Sequence, residues 1–279
     1  MPPLRLLPVA VLVALASRAV AAEPAVARLE TGTLDAGAVY SVALPEKWNG
    51  RLLLLAHGLR DDSEPLHAHL FPERGFTRAL LAEGWIVAIT SYRRNGVIVR
   101  DAIVDLENLR AHVARTHGRP QRTYLMGDSM GGLIVTRIAE RHPELCDGAV
   151  GVGSALHMSE TGSSMLNRAP QRPLLYLSNQ SEIAGPYRYS EAAKDAPFAP
   201  VLWIVARDGH VNVNPTERLA ALAALVRWVE HGERPLEQRN ATHVPSPGPS
   251  RARFAPDGSA EGTITFVHPV YRSFLLDLQ

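Results

Sequence analysis

The sequence predicts an α/β fold: a mainly parallel sheet with helices on both faces, followed by a C-terminal β-rich extension. Three observations carry this. Short, continuously apolar runs, RLLLLA (51–56), WIVAIT (85–90) and VLWIVA (201–206), have the character of strands covered on both sides. Stretches with apolar residues three and four apart alternate with them, as helices do. Gly84, Gly118-Arg119-Pro120 and Pro143 stand between the two kinds of segment, where strands and helices have to stop.

In chain order, VYSVALPEKWNGRLLLLAHG (39–58) reads as two strands joined by a turn at Trp48-Asn49-Gly50, because Asn-Gly is a strong hairpin signal. A helix is expected near Thr77 to Glu83, stopped by Gly84, and then the buried strand WIVAIT. Asp101 to Arg115 places Ile103, Leu106, Leu109 and Val113 on one helical face. Strand RTYLMG (122–127), a tight turn and a helix from Met130 to about His142 come next. The strands GAVGVGSAL (148–156), PLLYLSN (173–179) and VLWIVA follow. The last helix, PTERLAALAALVRWVEH, opens with Asn214 as N-cap, Pro215 at the first position and Glu217 at the third. Past Gly232 the composition turns polar and proline-rich, and 255–278 reads as a β-hairpin or edge extension of the same domain, with a sequon at Asn240.

The N-terminus has the plan of an export signal over residues 1–22: Arg5, the apolar stretch Leu6–Ala16, and the small-x-small pattern Ala19-Val20-Ala21. Pro8 and Arg18 keep that stretch short of a membrane span. The expected location is secreted or periplasmic, with no membrane attachment after cleavage. Residues 23–232 then form the main domain and 233–279 an extension packed on it.

A formal net charge of +1, with no basic stripe, argues against nucleic acid. One cysteine, Cys146, rules out an intramolecular disulfide and reads as a small buried hydrophobe. The His67/His69 pair lacks the further ligands a metal site needs, and no phosphate loop or dinucleotide fingerprint is present, so neither metal nor organic cofactor is expected. The oligomeric state is not legible.

Gly127-Asp128-Ser129-Met130-Gly131 fits Gly-x-Ser-x-Gly between a predicted strand and a predicted helix. A serine projected from so sharp a turn needs neighbours without side chains two residues before and after. The turn also brings the Met130 N–H to a helix start, where it can stabilise a developing oxyanion. Among eleven histidines, His210 is the best base. It follows the strand VLWIVA in a loop that enters a capped helix, at strand tips from which a side chain can reach the nucleophile.

Three segments, LLLLAHGL (52–59), MGDSMGG (126–132) and ARDGHVNVNP (206–215), make the chain resemble the α/β-hydrolase superfamily over roughly Val39 to Gly232. The resemblance implies a nucleophile-acid-histidine order, which Ser129 and His210 satisfy. It implies that His57 shapes the oxyanion turn and that the Leu59 N–H is a second oxyanion donor. It favours Glu182 as the acid, after PLLYLSN, although aspartate is the commoner residue there. Asp195, Glu160 and Asp208 compete for the role.

Met158 to Pro173 is too short for a separate lid domain, so an open site is expected, with walls from 60–74 and 92–97. His57 and Tyr92 are candidate substrate contacts. The implied activity is cleavage of small-molecule or polymer carboxylic esters through an acyl-enzyme. An amidase, peptidase or acyltransferase with the same triad is the alternative, and a non-catalytic binding protein on the same scaffold is a further one.

Overall fold

A computed structural model describes residues 28–158 and 166–236, and the backbone of 252–254 and 260–262. The expected export segment, the sequon at Asn240 and Glu160 lie outside the described residues.

The elements run β1 (Arg28–Thr33), β2 (Val39–Leu44), β3 (Arg51–Ala56), α1 (Gly75–Ala82), β4 (Ile86–Thr90), α2 (Val99–His117), β5 (Arg122–Asp128), α3 (Met130–Arg141), β6 (Gly148–Val152), β7 (Leu174–Asn179), α4 (Ala184–Ala192), β8 (Val201–Val205) and α5 (Pro215–His231). Eight strands form one sheet in the order β1-β2-β4-β3-β5-β6-β7-β8. β1 pairs with β2 and β2 with β4 antiparallel; every pairing from β4 to β8 is parallel. Two three-residue strands, Ala252–Phe254 and Ala260–Gly262, pair antiparallel in the C-terminal extension.

β3 shows why the middle of the sheet needs cover on both faces. Leu52 and Leu54 point into one core with α2 and α3, and Leu53 into the other with α1 and α5; all three are buried. Each leucine so buried contributes about 1.5–3 kcal/mol. An alternating strand would waste half of that, which is why RLLLLA has no polar residue inside it. α5 begins where its capping residues predict: the Asn214 side chain accepts from Glu217 N (2.9 Å) and the Glu217 carboxylate from Asn214 N (2.8 Å).

The hairpin expected at Asn49-Gly50 does not form, because β4 lies between β2 and β3. Asn49 ties down another turn instead. Its backbone N–H donates to Gly84 O and its side-chain amide to Glu83 O, each at 2.8 Å. Gly50 takes the positive φ of 87°. Cys146 is buried, and burial pushes its thiol up to about 12.

Candidate active site

The strand tips of β5, β7 and β8 converge at one edge, and each delivers one side chain. At the end of β5, Ser129 has φ 56° and ψ −114°, a conformation that a non-glycine residue holds only when its surroundings impose it. The flanking glycines allow this. A Cβ on Gly127 would stand 2.1 Å from Gly131 O, and one on Gly131 only 2.0 Å from Ala56 O. The turn is sewn down by Ser129 N donating to Val152 O (2.9 Å) and by Ser129 O accepting from Gly132 N and Ala155 N.

His210 follows β8 in the loop before α5. Its Nε2 is 2.8 Å from Ser129 Oγ, and its Nδ1 is 2.6 Å from Glu182 Oε2. With Nδ1–H donating to the carboxylate, Nε2 is the acceptor that faces the serine hydroxyl. The His210 side chain is 62% exposed and that of Glu182 only 15%, so the base opens to solvent while the acid sits behind it. Glu182 Oε1 accepts from Val211 N (3.1 Å) and Asn179 N (3.3 Å), which leaves Oε2 for the imidazole.

Glu182 occupies the position by virtue of a capping box: Asn179 is the N-cap of a short 3-10 turn, Gln180–Glu182, with Glu182 third in it. A Cβ on Gly153 would fall 2.6 Å from Glu182 Oε1, so a glycine is needed beneath the carboxylate. Asp208 is turned away from His210 and accepts from Gln180 Nε2 (2.8 Å).

Several further positioning residues escape a motif search. Asn179 Oδ1 accepts from Asn212 N (2.7 Å) and Asn179 Nδ2 donates to Asn212 O (2.8 Å), joining the end of β7 to the histidine loop. Ser181 Oγ accepts from Gly209 N (2.9 Å). Arg207 spans the same loop, donating to Asn212 O and pairing with Glu217 at 2.7 Å. The spacing Asn179-x-x-Glu182 was a readable signal for part of this; the loop-to-loop bonds leave no trace in one sequence. Asp128 forms a two-pronged pair with Arg218 of α5 (2.7 and 2.9 Å), which fastens the serine turn to the helix that ends the histidine loop.

On the other side, Gly58 lies against the nucleophile: a Cβ there would meet Ser129 Cβ at 3.2 Å. Met130 opens α3, so its N–H is one of the helix-start amides without an intrahelical acceptor. The His57 ring bridges the turn, with Nδ1 2.7 Å from Gly58 O and Nε2 3.0 Å from Ser91 O, and stacks on Tyr92 with centroids 4.1 Å apart. A neutral imidazole can donate only one of these bonds. Burial, then the nearby Arg60 charge, pull its pKa down to about 4 in spite of both carbonyls.

Tyr92, expected as a substrate contact, is closed off from any substrate. It is 0% exposed, takes φ 60°, and directs its hydroxyl to His57 O at 3.4 Å. It packs beneath the turn because its ring supplies the face on which His57 stacks. Leu59, by contrast, is 52% exposed at the mouth of the site. His67 and His69 stack with centroids 4.2 Å apart, and no group of three or more metal-ligating side chains forms among the described residues.

The arrangement can therefore remove a proton from a serine hydroxyl, hold the resulting imidazolium against a carboxylate, and offer backbone donors beside the attacked carbon. A family model described as serine aminopeptidase, S33, matches residues 93–201, a span that includes Ser129 and Glu182 and stops before His210. No curated protein matches the chain in sequence. Solved structures similar in fold include an esterase of Pyrococcus furiosus (16% identity, TM-score 0.55, 72% of this chain and 89% of that one). An esterase/lipase from an uncultured bacterium is similar at 13% identity and TM-score 0.55, over 73% of this chain and 84% of that one. An acylaminoacyl peptidase of Pyrococcus horikoshii is similar at 13% identity and TM-score 0.55; the match covers 78% of this chain and 43% of the longer peptidase. The shared architecture is the α/β-hydrolase fold.

Proposed function

Starting from an α/β-hydrolase fold with Ser129, His210 and Glu182 in one hydrogen-bonded line, we propose that the protein is a serine hydrolase that cleaves carboxylic esters through an acyl-enzyme. The line from Ser129 Oγ through the imidazole to Glu182 is the single observation that carries the reading. In the proposed reaction, Ser129 Oγ attacks the acyl carbonyl as its proton passes to His210 Nε2. Glu182 stabilises the imidazolium, and the amides of Leu59 and Met130 hold the oxyanion. His210 then returns the proton to the leaving alcohol. It next takes one from water, which attacks the acyl-serine; His210 passes that proton to Ser129 Oγ as the acyl–oxygen bond breaks and the acid is freed.

A second reading, cleavage of amides or peptides, is favoured by two observations: the matching family model is that of a serine aminopeptidase, and a peptidase stands among the similar folds. Export through residues 1–22, with action outside the cytoplasmic membrane, belongs to the same proposal and rests on the N-terminal sequence alone.

The test is turnover of p-nitrophenyl acetate, butyrate and octanoate against the matching anilides, by wild type and Ser129→Ala. Ester turnover abolished in Ser129→Ala is expected; turnover equal to wild type refutes the nucleophile, and a preference for anilides moves the reading to amides.

A further inference from the structure

We propose that Arg60 selects substrates that carry a carboxylate close to the scissile acyl group, an inference that rests on the serine-hydrolase reading above. Arg60 directly follows Leu59, and its carbonyl is held by Gly96 N at 3.1 Å, so its backbone belongs to the turn beside the nucleophile. Its guanidinium is half-buried, and among the described residues its one side-chain bond runs from Nη1 to His67 O. A guanidinium has five N–H donors, so most of them are unspent.

Among the half-buried arginines, Arg51, Arg93 and Arg218 each grip a carboxylate, of Glu230, Asp105 and Asp128, whereas Arg172 spends its donors on three backbone carbonyls. Among the described residues no carboxylate lies within ion-pair distance of Arg60, although three acids follow it closely and Glu64 acts on it from farther off. Asp61 accepts from Ser63 N and Oγ, Asp62 lies against Gly96, and Glu64 accepts from Asp61 N. A partly desolvated charge without a counter-ion is unfavourable, and burial draws the Arg60 pKa down accordingly.

The unpaired charge sits against the active-site turn. It acts on His57, which shapes that turn, on Tyr92 beneath it, and on His67. His67 Nδ1 is itself buried without a partner among the described residues. An anion entering here would meet the planar guanidinium fork. A single guanidinium matches one negative charge better than the near-dianion of a phosphate ester, which favours a carboxylate. That carboxylate can belong to the acyl part, as in half-esters of dicarboxylic acids, or to the leaving group, as in esters of hydroxy acids.

The experiment compares charged and neutral partners on each side: monomethyl against dimethyl glutarate, and acetoxyacetate against its methyl ester. Each is followed as kcat/KM in wild type, Arg60→Gln and Arg60→Lys. Wild type should prefer one charged ester over its neutral partner by tenfold or more, and which pair shows it identifies the side. That ratio should fall at least tenfold in Arg60→Gln and less in Arg60→Lys, which keeps the charge and loses the fork. No charged preference in wild type, or a ratio unmoved by Arg60→Gln, overturns the proposal. Labelling of Ser129 by a fluorophosphonate, run on the same samples, separates the two levels. A labelled enzyme without charge preference defeats the carboxylate site alone, whereas a folded wild type that is neither labelled nor active defeats the hydrolase reading and this inference with it.

Discussion

Replacing Gly131 by alanine tests how tightly the serine turn is built. The added Cβ would sit 2.0 Å from Ala56 O, 2.7 Å from Ala56 C and 3.0 Å from His57 O. Ordinary contact begins near 3.4 Å, so β3 and the start of α3 must part by roughly 1 Å or more, and both sides are backbone that cannot rotate away. Overpacking of this kind costs about 1–3 kcal/mol, and the upper half of that range is expected here. The same movement spreads Leu59 from Met130 and Ser129. A displacement near 1 Å costs about 10²-fold in rate, and loss of one oxyanion donor about 10²–10³-fold. Gly131→Ala should therefore lower kcat by about 10²–10³-fold with a smaller change in KM, and lower stability by about 2–3 kcal/mol. The assays are p-nitrophenyl butyrate hydrolysis and urea unfolding followed by tryptophan fluorescence. Gly37→Ala is the control: its φ is +85° but nothing lies within 4 Å, so about 1 kcal/mol of backbone strain and no rate effect is expected. If Gly131→Ala is no worse than Gly37→Ala in both assays, the reasoning from close approach is wrong.

Glu182→Gln keeps the shape but not the charge, and should cut kcat on the order of 10³–10⁴-fold while the unfolding midpoint moves little. Arg218→Met leaves Asp128 without its partner at a partly exposed site and should cost about 1–2 kcal/mol; Asp128→Asn in the same chain should recover part of it, measured as a double-mutant cycle by urea unfolding. His57 gives a pH signature. Its folded pKa is about 4 against the ordinary 6.5, so below 6.5 the unfolded chain takes up a proton that the folded one refuses. Stability from this group is complete above about pH 6.5 and is lost as pH falls towards 4, by at most about 3 kcal/mol. The slope of the melting temperature between pH 7 and 4 should be shallower in His57→Gln; an unchanged slope would assign the acid sensitivity to other groups.

The parts of the fold that were readable are those where one local rule governs. β3 and β4 are apolar across their middles because both faces are covered, β8 at the sheet edge keeps an apolar run although its middle is only half-buried, and α5 carries its own start signal in Asn214, Pro215 and Glu217. β1, RLETGT, was not anticipated. It is an edge strand with no fully buried residue, so its sequence has no apolar run to display. α4 opens with Gly185-Pro186, which reads locally as a loop, and is a helix because Tyr189 and Ala193 pack into the core. Asn49-Gly50 misled for the opposite reason: its turn geometry is real, but a long-range strand takes the place that the hairpin partner would have had. In the site, the turn points to Ser129, while the family resemblance supplies the order that favours His210 and the place after β7 that favours Glu182 over its competitors. The burial of Tyr92 depends on His57 lying over it, a contact between two loops that neither announces.

The bonds linking Asn179 to Asn212 and Ser181 to Gly209 have a consequence for how the three residues are held. Base and acid are one part rather than two, since the loops that carry them are laced together before either meets the serine. The chain between those loops, α4 with β8 behind it, is thus bracketed by a closed joint. A graft that lengthens or replaces the exposed end of α4 near Glu191, or the turn that follows it, can reshape the surface there while the spacing of Glu182 to His210 stays set by its own ties. The placement of that joined pair against Ser129 is set by the pairing of β5 through β6 to β7, by Gly153 beneath Glu182, and by the Asp128–Arg218 pair.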